Sequence, residues 1–171
     1  MGMDVYGNKP INKTGEYFRA SVWTWRPLWE FCNENFLVAN KVDAGQFNNG
    51  DGLNAKDAEV LARQLREALA NGSVQNYIDE RNEYLANLER PTCEWCAGTG
   101  IRTDEVGTQM GMPERELDSE MASLTGRTKG WCNGCSGEGK TEHWDTNYQL
   151  HLETVKHFAE FIENSGGFRI C

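Results

Sequence analysis

The sequence predicts a mainly α fold of the α+β kind: a helical domain with a small β-hairpin knuckle inserted before its C-terminal helix. Three observations carry this. Residues 54–89 hold two apolar stripes at helical spacing, broken once at Asn71-Gly72-Ser73. Residues 93–100 (CEWCAGTG) and 132–139 (CNGCSGEG) repeat one Cys-x-x-Cys-x-Gly-x-Gly pattern. Residues 147–164 form a further amphipathic run, closed by Ser165-Gly166-Gly167. A chain of 171 residues has the length of one ordinary domain, so a single domain over residues 1–171 is expected.

Residues 1–50 are the most aromatic and the least periodic. EYFRASVWTWRPLWEFC brings Tyr17, Phe18, Trp23, Trp25, Trp29 and Phe31 close together in sequence. Val22 to Trp25 read as extended, because the residue before a proline avoids the helical region. Pro27 then suits the first turn of a helix through Leu28, Trp29 and Phe31. Two readings of these aromatics stand side by side. In one the tryptophans are core. In the other, Tyr6, Tyr17, Arg19, Trp23, Trp25, Arg26 and Asp51 line a pocket for a small nucleotide-like anion, since aromatic faces with arginines suit such a ligand. QFNNGDGLNAKD has the start of a calcium loop, but Phe47 and Ala58 stand where the first and last ligands belong.

Residues 54–89 read as a helical hairpin. Asn54 caps the first helix with Asp57 three residues on, and Ala58, Leu61, Leu65, Ala68 and Leu69 make its apolar face. Gly72 ends it, and Ser73 opens a second helix with Tyr77, Ile78, Tyr84, Leu85 and Leu88 inward, stopped before Pro91. Residues 145–171 supply the C-terminal helix, started by Asp145, with Tyr148, Leu152, Val155, Ala159 and Ile162 inward, and a tail packed down through Phe168 and Ile170.

Between these lies the cysteine-bearing segment, residues 91–141. Two residues between thiolates let one tight turn aim both sulfurs at a single ion, and two such turns complete a tetrahedral shell. Cys93, Cys96, Cys132 and Cys135 are therefore assigned as ligands of a structural Zn2+. An iron site or a redox pair shares the same sulfur shell and stays open. Three disulfides among the six cysteines are the rival, favoured in small secreted chains. Short strands are expected beside each turn, with a helix over residues 113–124 presenting Leu117, Met121 and Leu124. The long stretch between the cysteine pairs is a candidate recognition element.

CEWCAGTG and CNGCSGEG resemble the repeats of the cysteine-rich zinc domain of DnaJ-type chaperones. That family carries four repeats and two zinc sites on an extended hairpin. The resemblance covers residues 91–141, implies one zinc-knuckle hairpin, and carries no chaperone activity, since no His-Pro-Asp motif is present. Over the whole chain, MDVYG, GEYFR, VWTWRPLW, NNGDGL, the two knuckles and SGGFRIC resemble a small protein type of bacteria and their phages, with no assigned activity to carry over.

Composition narrows the function. The formal net charge is −9, and four thiolates on one zinc make it more negative still, so a general nucleic-acid binder is disfavoured. No apolar run reaches the roughly 18–20 residues of a membrane span. The start MGMDVYGNKP lacks a signal-peptide pattern, and a cytoplasmic location, in a bacterial cell or a phage-infected host, is expected. No phosphate loop, nucleophile elbow or His-Glu-x-x-His motif occurs, and no catalytic residue is assigned. The expectation is a non-enzymatic, zinc-stabilised binding protein whose partner is a host protein or a signal molecule. The alternative is a small-anion binder or enzyme using the N-terminal aromatic and arginine cluster.

Overall fold

The computed structural model of the chain describes residues 2–171. It divides into two compact units, one taking Met1–Ala86 with Asn147–Cys171, the other Asn87–Thr146. The described residues form a mixed α+β fold in which helix predominates, as the sequence implies.

The first unit is built on a four-stranded antiparallel sheet that the sequence did not announce. Its strands are β1 (Gly2–Gly7), β2 (Tyr17–Ser21), β3 (Gly52–Leu53) and β4 (Phe168–Ile170), in the order β2-β1-β4-β3. Strand β1 pairs with β2 through Asp4 opposite Arg19 and Tyr6 opposite Tyr17, and with β4 through Val5 opposite Ile170. Met3 and Val5 are buried while Tyr6 is exposed, the alternation of a half-buried strand. On the covered face lie α1 (Val22–Asn35), α2 (Ala55–Ala70) and α6 (Leu152–Ser165), and α3 (Ser73–Ala86) packs against α2 and α6.

Helix α1 begins five residues before the point expected from Pro27. Ser21 is extended and its hydroxyl accepts from the Thr24 N–H at 3.2 Å, so Val22 to Trp25 are helical rather than extended. Pro27 sits inside the helix, where it removes one intrahelical hydrogen bond, and the burial of Trp25, Leu28, Trp29 and Phe31 outweighs that loss. Helix α2 follows the expected cap: Asn54 accepts from the Asp57 N–H at 3.0 Å and donates to the Asp57 carboxylate at 2.8 Å. Lys41, at 2.5 Å, and Asn54 together hold the Asp57 carboxyl below the usual carboxylate range, against the opposing effect of burial. In α3, Val74, Ile78 and Leu85 face inward, whereas Tyr84 is exposed, contrary to the stripe drawn from the sequence.

Helix α6 starts at Leu152, not at Asn147, because Trp144–Asn147 forms a separate 3-10 turn. Its C-terminal carbonyls, which have no partner within the helix, accept from the chain that leaves β1. Ile11 N–H donates to Asn164 O, and Lys9 N–H to Ser165 O, at 2.9 and 3.0 Å. This crossing requires glycine, since a Cβ on Gly15 would lie 1.9 Å from Asn164 O.

The core of this unit is aromatic. The Trp25 and Trp29 rings stack at 5.5 Å with 8° between planes, and Phe158 meets both edge-on. The Trp25 indole N–H donates to Gly45 O at 2.8 Å. Cys32 is fully buried here, and burial pushes its thiol pKa well up, which is a core cysteine and not a nucleophile. Phe168 and Ile170 are buried as expected, while Cys171 beyond them is exposed.

Candidate metal centre

The second unit contains two short helices, α4 (Glu105–Gln109) and α5 (Ser119–Thr125), capped by the carboxylates of Asp104 and Asp118. The single helix expected over residues 113–124 is not formed. The Asp118 cap starts α5 late, and Leu124 stays 75% exposed. The strands expected beside the cysteine turns shorten to two isolated antiparallel bridges, Thr92 with Lys140 and Glu116 with Lys129. The knuckle is thus a hairpin with a minimal ladder.

Both cysteine turns fold alike because their sequences do. Ala97 and Ser136 take φ values of 49° and 50°, Gly98 and Gly137 84° and 77°, Gly100 and Gly139 74° and 80°. In each turn the last glycine amide points at the second sulfur: Gly100 N–H to Cys96 Sγ at 3.3 Å, Gly139 N–H to Cys135 Sγ at 3.2 Å. Such N–H groups spread thiolate charge. The two turns also interlock reciprocally. A Cβ on Gly100 would lie 2.2 Å from Gly137 O, and one on Gly139 would lie 2.3 Å from Gly98 O. The repeats are therefore related by a local pseudo-two-fold, backbone against backbone. Arg127 ties them together, donating to Thr99 O at 2.9 Å and Gly137 O at 2.8 Å.

The four sulfurs converge. All lie within 4.8 Å of one another, all four cysteines are buried, and none is in a disulfide. Cys93 Sγ is 3.8 Å from Cys132 Sγ, and Cys96 Sγ is 3.7 Å from Cys135 Sγ. A tetrahedral ion with metal–sulfur bonds of about 2.3 Å requires sulfur–sulfur edges of about 3.8 Å. The distances fit. Burial raises the Cys135 thiol to about 12 and raises Cys93 as well. At Cys96 the same burial is outweighed by hydrogen bonds from Gly100 N–H and the neighbouring thiols, bringing it down to about 7. Comparison with known protein families, curated proteins and solved structures finds no match.

The other residues singled out in the sequence fall at several places in the first unit. Tyr6, Tyr17 and Arg19 share the exposed sheet face, where the Tyr17 hydroxyl donates to Asp4 and Arg19 lies 3.5 Å from the same carboxylate. Trp23 and Arg26 both meet Tyr148: the Trp23 ring lies 5.0 Å from its ring, and Arg26 donates to its hydroxyl at 2.8 Å. Trp25 has no exposed surface. Asp51 closes its own loop, accepting from the N–H groups of Ala44 and Gly52 at 2.9 and 2.8 Å. Arg127 and Arg102 were not found by sequence reasoning. Arg102 spans Asp104, Asn133 and the Trp95 ring, a combination with no local sequence signal.

Gly139→Ala should weaken metal binding sharply, because the added Cβ meets Gly98 O and the left-handed backbone is already unfavourable for alanine. A cost of about 3 kcal/mol, roughly 100-fold in metal affinity, is expected in competition with a chromophoric chelator. Gly111→Ala is the control, since it shares a positive φ but has open space around it. Equal effects at the two sites would show that the interlock is unimportant.

Proposed function

We propose that the chain is a non-enzymatic, zinc-stabilised interaction protein whose second unit is the binding element. The observation that carries this reading is the composition of that unit's interior. Across Asn87–Thr146 the buried hydrophobic residues are Cys93, Cys96, Met112, Cys132 and Cys135. Sixty residues with so little buried apolar surface need a staple, and a metal is one of the few available. An all-sulfur donor set favours zinc, and the motif resemblance to the DnaJ-type cysteine-rich domain supports the same ion. Four protein ligands close the shell and leave no position for water or substrate, which supports a structural role.

What the staple would hold in place is exposed apolar surface. Trp95, Val106, Met110 and Leu124 are all about half exposed or more. Native mass spectrometry of protein purified without chelator should show one zinc per chain. A zinc-free protein, or one carrying iron, would remove the reading. A co-purified small mass would instead favour a ligand site in the first unit. Replacing exposed residues between Thr103 and Lys129 should weaken partner binding while zinc content and melting stay unchanged; binding that is unaffected would take the loop out of the proposal.

A further inference from the structure

We infer that the partner engages the second unit through the Glu94–Trp95 ridge, and that what it presents there is an extended segment bearing arginine or lysine. The inference rests on the reading of this unit as a zinc-stapled binding element and adds the chemistry of the partner.

Trp95 occupies the middle of the first knuckle, between two metal ligands, yet is 52% exposed. Its indole is rigidly placed. The Arg102 guanidinium lies 4.5 Å from its ring centroid, and the Gly134 backbone is so close that a Cβ there would come within 2.5 Å of Cε3. The ridge separates two clefts. One, of about 290 Å3, runs past Thr92, Gly134 and Thr141; the other, of about 530 Å3, runs past Ile101, Thr103 and Asp104. Glu94 and Trp95 line both. A half-exposed tryptophan fixed between two clefts is the kind of anchor on which binding energy concentrates.

Charge selects the occupant. The second unit carries eleven acidic and six basic side chains, and a zinc with four thiolates adds further negative charge. Its arginines are already engaged: Arg90 by Glu138 and Glu142, Arg102 by Asp104, Arg115 by the Trp131 ring, Arg127 by backbone carbonyls. The Glu94 carboxylate makes no ion pair among the described residues. An incoming guanidinium or ammonium therefore meets an unneutralised carboxylate beside an aromatic surface, and the chain's own Arg102 already uses the same indole in this way. Two clefts that share Glu94 and Trp95 in their lining offer room for more than one side chain of an extended segment. A nucleic-acid backbone would be repelled.

The test uses the full zinc-loaded chain and two labelled eight-residue peptides, one alternating arginine with leucine, the other glutamate with leucine. Fluorescence anisotropy should show saturable binding of the arginine peptide alone, weakening with salt. Trp95→Ala should reduce affinity about tenfold and Glu94→Lys several-fold, with Trp95→Phe retaining most of it. Amide exchange and zinc content, measured on the same samples, should match the parent. Equal binding by the parent and by Glu94→Lys, or preference for the glutamate peptide, would overturn the inference. One zinc with no peptide binding would overturn it alone, whereas a parent chain without zinc would overturn it together with the staple beneath it.

Discussion

Cys93→Ser should abolish stoichiometric zinc binding and unfold most of Asn87–Thr146 while leaving the first unit intact. The size of the effect follows from what remains when the ion goes. Apparent binding free energies of structural zinc are about 10–16 kcal/mol, comparable to or larger than the whole stability of a domain. The first unit has its own aromatic core and sheet, and neither draws on these sulfurs. The second has the four-cysteine cluster and short capped helices. Replacing one ligand leaves three sulfurs, from Cys96, Cys132 and Cys135, in a shell open on one side. Hydrogen exchange should therefore show collapse of protection at the Gly100 and Gly139 amides, which point at sulfur, with unchanged protection along β1, α2 and α6. Full zinc occupancy in the variant would mean that the four-cysteine assignment is wrong. Retained protection without zinc would mean that the fold of this unit does not depend on metal.

The cysteine cluster was legible because everything it needs is local. Each turn is specified by eight consecutive residues, and the left-handed positions at Gly98, Gly100, Gly137 and Gly139 are written as glycine. Only the pairing of the turns is long-range, and their sharing of one motif made that pairing easy to anticipate. Helices α2 and α3 were legible for the same reason: Asn54, Gly72 and the Leu61–Leu65–Ala68 stripe are short-range signals.

The sheet was not legible. Strand β4 has three residues and β3 two, too few to show alternation, and β1 finds β4 across more than 160 positions of chain. Met3 and Val5 inside with Asp4 and Tyr6 outside did carry a period-two pattern, but over four residues it cannot be told from chance. VWTW misled in the opposite sense. Aromatic and β-branched residues before a proline suggest extension, yet Ser21 caps a helix there, and burial of Trp25 and Trp29 on one face overrides the local preference. The acceptors at the end of α6 were invisible for a different reason: their donors, Lys9 and Ile11, are supplied by a segment that has no helical or strand signal of its own.

Phe158→Ala should be the most damaging single substitution in the first unit, at about 3–5 kcal/mol. In the sequence this residue lies within the amphipathic run of the last helix. In the fold it is fully buried, and its ring lies within 6.4 Å of five others: Phe18, Trp25, Trp29, Phe161 and Phe168. Those rings come from β2, α1, α6 and β4, so the cavity left by alanine would open where helix and sheet layers meet. Their positions are fixed by other contacts, such as the Trp25 indole bond to Gly45 O, so the space can collapse only in part. Cavity and lost edge-to-face contacts then add. In urea, with a slope of about 1–3 kcal/mol per molar, the midpoint should fall by roughly 2 M. Near-ultraviolet dichroism from the stacked Trp25 and Trp29 pair should weaken in the folded variant, and zinc content should not change. Phe158→Leu should recover more than half of the loss by refilling the space without the ring geometry. An alanine cost below about 1 kcal/mol would contradict the central position of this side chain, because no buried aromatic with five ring neighbours is so cheaply removed.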